Sequence, residues 1–155
     1  MTESKSEGQL RRAQPHIGAA VFCEHILHEK DGVNSLIRIV DTFTVPKIPA
    51  GVEGKAVVRV NGFLMFKSGD AKGKYEVRLR LRPPAGDPQE LGDPQYIVFD
   101  GGEHGAAIIM NLALEVKQPG LSWIDVIVDG ELMTRMPFRL RREEESEEPR
   151  RSTSS

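Results

Sequence analysis

The segment from Lys74 to Arg82 alternates strictly between apolar and charged side chains, and this alternation most constrains the fold. As a strand, the segment buries one face and exposes the other to water. As a helix, it would scatter its arginines around the axis and form no apolar stripe. The pattern therefore predicts a strand. Its apolar set is Tyr75, Val77, Leu79 and Leu81, and its charged set is Lys74, Glu76, Arg78, Arg80 and Arg82.

Other runs of the same period are separated by turn residues. Asp31-Gly32 and Asp129-Gly130 each separate two strand-like runs, so both pairs predict hairpins. Residues 36–45 read as one strand that ends at a proline, and residues 96–99 as a short strand closed by Asp100-Gly101-Gly102. In residues 55–67, the Asn61-Gly62 pair indicates either a bulge or a break between two strands.

Residues 106–118 fit two structures. They contain good helix formers, and Asn111, Glu115 and Gln118 lie at helical spacing. The apolar residues between Ile108 and Val116 also share one strand parity. We favour the strand, because no capping residue precedes Ala106 and a Pro-Gly pair with a hairpin follows.

These elements sum to seven or eight strands with turns about every dozen residues. Most of the 15 Gly and 10 Pro residues lie in these turns. This spacing predicts an all-β fold, an antiparallel immunoglobulin-like β-sandwich spanning residues 17–141. Residues 1–16 and 142–155 contain too few apolar side chains to offset the entropy of ordering, so both are expected to be disordered tails.

Two stretches of this pattern resemble a known family. The first is Ala20-Val21-Phe22-Cys23-Glu24-His25, followed by the Asp31-Gly32 turn and by Leu36 to Asp41, and the second runs from Pro119 to Leu140. Together they are similar to a family of small uncharacterised bacterial β-sandwich proteins, over roughly residues 18–141. The resemblance implies the same sandwich fold and a bacterial, cytosolic origin. It carries over no catalytic or binding residue.

Charge and composition exclude several classes of protein. The formal net charge of −2 argues against general attraction to nucleic acid or to an anionic membrane. The apolar run from Ala106 to Met110 is far shorter than the roughly 20 residues that span a bilayer. The polar N-terminus has no signal region, and the single cysteine, Cys23, is compatible with a reducing compartment. We therefore expect a cytoplasmic protein without membrane contact.

Two groups of residues have side chains suited to metal binding or catalysis. Cys23, His25 and His28 are zinc-ligand types, but on a strand His28 lies on the opposite face from the other two. Residues 100–105, which include His104, are expected on a loop, where functional residues concentrate. Neither group forms a recognisable catalytic constellation. We expect no metal, no cofactor and no enzymatic activity.

Two rows of arginines suggest a binding surface. Arg78, Arg80 and Arg82 line one side of a predicted strand, and Arg135, Arg139 and Arg141 line one side of another. If both strands belong to one sheet, they form a cationic plate for an anion, a nucleic acid or an acidic partner. The plainer interpretation is a solvated face paired to Glu76 or Glu131. The acidic residues after Arg142 are a candidate cover for the plate.

Trp123 and Met133 lie on the parity opposite the presumed core of their hairpin. An exposed Trp beside a Met suits a protein interface, although packing of Trp123 under a loop is the alternative. We therefore predict a non-enzymatic interaction module that binds a protein partner through a sheet face or an edge strand. Anion or nucleic-acid binding at the arginine rows is the second hypothesis, and a homo-oligomer formed through an edge strand is a third arrangement.

Overall fold

A computed structural model describes residues 12–45, 56–116 and 118–143. Strands make up nearly all the regular structure in these ranges, which confirms the all-β prediction. No helix in the described ranges is long and apolar enough to cross a membrane. The eight strands are β1 (His16–His28), β2 (Asn34–Ile39), β3 (Thr42–Val45), β4 (Ala56–Arg82), β5 (Gln89–Glu90), β6 (Gln95–Val116), β7 (Gly120–Val128) and β8 (Glu131–Arg142).

All eight strands belong to one hydrogen-bonded sheet. Its order is β2-β1-β4-β7-β8-β3, and β5 and β6 also pair with β4. The expectation of a purely antiparallel sheet fails at one point, because β3 pairs with β8 in parallel. Residues 36–45 are also not one strand. The chain leaves the sheet path after Ile39 and returns as β3 at the opposite end of the strand order.

The two longest strands join segments that the sequence analysis separates. β4 runs for 27 residues and β6 for 22 residues, and the two strands pair along most of their length. Register shifts on either side of Gly69 mark a bend in β4. Gly69, Gly101 and Gly102 all have positive φ there, a conformation that glycine adopts without steric cost. The ladder therefore continues through the bend, and Asp100-Gly101-Gly102 does not end a strand.

The bend curls the sheet so that its two arms face each other across the core. Residues 61–67 of β4 pair with β1, and residues 77–82 pair with β7. Phe22 of β1 meets Phe138 of β8 edge to face at 5.4 Å between centroids, although two other strands lie between β1 and β8. Phe43 contacts both rings in the same way. Close to the bend, Phe66, Tyr75 and Phe99 form a second aromatic group.

Both predicted hairpins are confirmed. β1 pairs antiparallel with β2 around Asp31-Gly32, and β7 pairs with β8 around Asp129-Gly130. Asp129 and Gly130 both have positive φ, as a two-residue hairpin of the primed type requires. The strand interpretation of residues 106–118 is confirmed as far as Val116.

Part of the expected N-terminal tail contacts the sheet. The Arg12 guanidinium lies 3.8 Å from the centre of the Tyr75 ring and donates to the carbonyls of Lys72 and Lys74. The Tyr75 hydroxyl donates to the Ala13 carbonyl, and β1 already begins at His16. The rest of the predicted N-terminal tail, residues 1–11, and residues 144–155 lie outside the described residues.

We expect Phe138→Ala to lower the free energy of unfolding by about 3–5 kcal/mol, because it removes the ring that joins the two arms. Val98→Ala is the control, since Val98 is 66% exposed on the outer side of β6, and it should cost less than about 1 kcal/mol. Urea unfolding followed by circular dichroism measures both. Equal losses would contradict this description of the core.

Candidate binding face

The outer side of β4, β7 and β8 brings the two arginine rows together. β7 pairs with β4 on one side and with β8 on the other, so the rows are two strands apart in one sheet. Since alternate residues of β4 and β8 enter the core, the intervening arginines point outward. We call this surface the arginine face and define it by Arg78, Arg80, Arg82, Arg135, Arg139, Arg141 and Trp123.

Asp125 lies at the centre of this face, directly between two arginines. It pairs with Arg80 across β4 and with Arg135 across β8. Its side chain is completely buried. Arg82 Nε donates to Asp125 Oδ2 at 2.7 Å, Arg80 Nε lies 3.4 Å from the same oxygen, and Arg135 Nε lies 3.3 Å from Oδ1. Asp125 thus accepts one hydrogen bond, from Arg82, and lies within ion-pair distance of Arg80 and Arg135. Among the described residues, Arg80 Nε and Asp125 Oδ1 are buried without a hydrogen-bond partner.

The geometry of these contacts leaves cationic capacity at the surface. All three arginines approach Asp125 through Nε. A guanidinium has five N–H donors, and a contact through Nε uses one of the five. The three side chains are between 31% and 49% exposed, and a single negative charge cannot neutralise them. The cluster can therefore hold an anionic group from solvent in a fixed position.

Arg78 differs from its neighbours on β4 because it is already paired. It donates to both carboxylate oxygens of Glu76 at 3.1 and 3.2 Å, and it lies 3.7 Å from Glu90. The hydrogen bonds and charge of Glu76 raise the pKa of Arg78 above its ordinary value. Pairing to Glu76 was the plainer interpretation of the arginine rows, and it describes Arg78 well.

Trp123 is half-buried on the arginine face, in a row with Arg82 and Pro137. Met133 does not lie beside it as expected. An extra residue in β8 shifts the register between Val126 and Ile127, and this bulge lets Met133 pack against the core. Leu132 faces outward instead and is 46% exposed. The alternation alone places Met133 on the wrong side because it assumes an unbroken ladder.

Asp125 is the residue that the sequence analysis missed. It shares the outward parity of Trp123, and it is the only charged residue in the otherwise apolar run from Ile124 to Val128. A lone carboxylate on the outer parity, next to strands with outward arginines, was a usable signal for a buried ion pair. This signal identifies the ion pair only when β4 and β8 are known to flank β7.

The other candidate groups are not assembled into a site. Cys23 is buried on the outer side of β1, whereas His25 and His28 are exposed. No group of three or more His, Cys, Asp or Glu side chains within residues 12–45, 56–116 and 118–143 is placed to hold a metal ion. Residues 100–105, expected on a loop, lie inside β6. His104 is therefore a strand residue with an exposed side chain.

A cavity of about 640 Å³ opens between the ends of the two arms, away from the arginine face. Its walls are the turn around Pro83 and Pro84 and the end of β6, and its floor includes the core residues Leu114 and Phe138. The cavity lies where the curled sheet is open, at the ends of its two arms. None of the described residues that line it is an arginine.

We expect Asp125→Ala to lower the free energy of unfolding by about 3 kcal/mol, because three guanidinium groups lose their shared counter-charge. Arg135→Gln should cost only about 1 kcal/mol, since Asp125 keeps two partners. Urea unfolding measures both, with exposed Asp93→Asn as the control. A loss of unfolding free energy in Asp125→Ala as small as that in Asp93→Asn would show that Asp125 does not hold the cluster together.

Burial raises the pKa of the Cys23 thiol above 9.0, an effect partly offset by a hydrogen bond from the His25 backbone. The reactive thiolate is therefore scarce at neutral pH. We expect the folded protein to react with a thiol-specific reagent at pH 7.5 at least about 100-fold more slowly than the urea-unfolded chain. A rate similar to that of a free thiol would show that Cys23 is accessible and activated.

Comparisons with known proteins concern the whole described sheet. No curated protein matches the chain. Among solved structures, alkylpurine DNA glycosylase AlkC from Pseudomonas fluorescens, bound to DNA with an abasic site analogue, is similar with a TM-score of 0.51 and 13% identity. A β-glucosidase from Listeria innocua has a TM-score of 0.45 and 11% identity. An immunoglobulin-like protein from Pseudomonas aeruginosa has a TM-score of 0.33 and 14% identity.

This chain spans about a third or less of the length of the glycosylase and the glucosidase. The matches cover 88%, 82% and 84% of this chain. They cover 33% of the glycosylase chain, 16% of the glucosidase chain and 98% of the immunoglobulin-like chain. The likeness to the glycosylase concerns the fold alone. The model of a family of unknown function, DUF6941, matches residues 18–141, and this chain belongs to that family.

Proposed function

We propose that this protein is a non-enzymatic binding module whose arginine face holds an acidic segment of a partner protein. The observation that carries this proposal is the cluster of three guanidinium groups around the buried carboxylate of Asp125. The carboxylate attracts the Nε side of each group, and donors that these contacts do not use can bind carboxylates of a partner.

The composition of the face supports a protein as the partner. Trp and Arg are the residue types enriched in the energetically dominant part of protein interfaces. Trp123 lies between the Arg82 and Pro137 positions, and the exposed Leu132 adds apolar surface at the edge of the cluster. An acidic segment that also carries apolar side chains would match both properties of this surface.

An edge strand is the less favoured route to a partner. β2 ends the strand order, and Ile37 and Ile39 on it are exposed. However, Arg38 between them has a φ of 58° and is paired with Glu24 at 2.8 Å. A left-handed residue kinks the edge and interrupts the regular ladder that an added strand needs. A homo-oligomer through β2 therefore has less support than binding at the face.

Anion or nucleic-acid binding is the second candidate. Its favouring observation is the surplus of positive charge, since Asp125 neutralises one of three arginines and Arg139 and Arg141 extend the same side of β8. The glycosylase with a similar fold was solved with DNA bound. Against this candidate, Trp123 and the exposed Tyr96 beside Glu76 lie on different strands at separate parts of this surface, and single strands are usually held by several stacked rings.

The setting of the proposed function is the bacterial cytoplasm. The buried, unpaired Cys23 is consistent with a reducing compartment. We also propose that the two facing arms form an immunoglobulin-like sandwich, with β4 and β6 passing from one arm to the other. The contact between Phe22 and Phe138 across the core supports this arrangement.

Fluorescence anisotropy of a labelled hexaglutamate peptide tests the proposal. We expect the full chain to bind the peptide at about 50 mM salt, where exposed charges are weakly screened. Arg139→Glu combined with Arg141→Glu should weaken binding at least about tenfold, because both charges are reversed on the arginine face. Lys30→Glu with Lys67→Glu changes the net charge equally, away from the face, and should change affinity less than about twofold.

The same measurement separates the two candidates. A DNA duplex that binds more tightly than the peptide, with a steep salt dependence, would favour the second candidate. If both double variants weaken the peptide equally, only net charge matters and the face is not a site. Failure of the full chain and of its tail variant described below to bind either probe overturns both candidates.

A further inference from the structure

We infer that the acidic segment after β8, residues 144–148, occupies the arginine face in the free protein and competes there with acidic partners. This inference rests on the proposed function and names its regulation. The occupant is defined by its chemistry, since four of its five residues are glutamates, Glu144, Glu145, Glu147 and Glu148. Its charge is complementary to the surplus of guanidinium groups on the face.

The position of the segment in the chain supports this assignment. It follows Arg142, the last residue of β8, and β8 itself carries Arg135, Arg139 and Arg141 on its outer side. At this end, both edges of β8 are occupied, because Leu140 pairs with Gly120 of β7 and with Phe43 of β3. With both edges paired, the outer side of β8 is left for contact, and Arg139 and Arg141 lie there within a few residues of the segment.

The length of the segment allows it to reach the nearer arginines of the face. Residues 143–148 in extended form span about 20 Å. A reversal at the end of β8 uses about two or three residues, which leaves roughly 10 Å along the strand at about 3.3 Å per residue. Arg141 and Arg139 lie one and three residues before Arg142, so the long side chains of arginine and glutamate can meet there.

A tethered segment needs little intrinsic affinity to occupy this face. A short flexible linker gives an effective concentration of about 1 mM, so even weak charge pairing fills the site. Because these charges are exposed, salt screens the contact over physiological concentrations. A partner with more carboxylates, or with an added apolar anchor against Trp123, would displace the segment.

Trp123 provides a direct test, because it is the only tryptophan in the chain and lies within the face. We expect its emission maximum to shift between about 20 mM and 500 mM NaCl as the segment leaves. The shift should be lost when Glu144, Glu145, Glu147 and Glu148 are changed to Gln. The control neutralises four exposed carboxylates elsewhere, with Asp70→Asn, Asp87→Asn, Asp93→Asn and Glu103→Gln, and should keep the shift.

Competition with the hexaglutamate peptide gives a second readout. The four-Gln tail variant should bind the peptide about tenfold more tightly than the unmodified chain, because the competitor has lost its charge. The control variant, with the same net charge, should change affinity less than about twofold. Equal affinities in the tail and control variants, with emission that is unchanged by salt, overturn the inference.

The two readouts separate this inference from the proposed function. If emission responds to salt only when the glutamates are present, but no variant binds the peptide, the tail contact stands and the binding function fails. If the peptide binds the unmodified chain and the tail variant equally well, and emission is flat, the binding function stands and the tail contact fails.

Discussion

The pairing of β4 with β6, which resumes beyond the register shifts at Gly69, is the constraint on which the rest of the structure depends. Because the ladder continues through the bend at Gly69 and Gly101, both strands belong to both arms of the sheet. In one arm residues 61–67 of β4 pair with β1, and in the other residues 77–82 pair with β7. A break at the bend would leave two small sheets with separate apolar faces. The continuous ladder instead brings those faces together around a single core.

The same constraint places the candidate site. The downstream part of β4 carries the arginines, and the bend delivers it to β7 in a register that sets Arg80 opposite Asp125. A buried carboxylate is expensive to desolvate, and an apolar side chain at this position would pack at lower cost. Truncation of Asp125 to alanine, in contrast, would leave Arg80, Arg82 and Arg135 without their shared counter-charge. The structural role of Asp125 is to position these groups, because it accepts the hydrogen bond of Arg82 Nε and lies within ion-pair distance of the other two.

Local sequence patterns predict the local parts of this fold. Alternation identifies the strands, and Asp-Gly pairs identify both hairpins, because each signal depends on neighbouring residues. The same signals cannot say whether Asp100-Gly101-Gly102 ends a strand or bends one, since glycine with positive φ serves both structures. Nor can alternation place Met133, because a bulge is defined by two strands together. The arginine rows were predicted, whereas the role of Asp125 depends on which strands flank β7.

The arginine face differs from a solvated charged face in how its charges are held. An ordinary exposed ion pair contributes little, because both side chains must give up conformational freedom to meet. Arg78 and Glu76 form such a pair, and their two charges neutralise each other. In the Asp125 cluster, burial in a central strand already holds the carboxylate in place. Only the arginine side chains therefore lose conformational freedom when the contacts form. Attraction to the buried carboxylate restricts these guanidinium groups before a ligand arrives, which lowers the entropic cost of binding a second anion. The acidic residues that directly follow β8 would compete with a partner for this surface. The strength of partner binding is then coupled to the displacement of a charged segment that the chain itself carries.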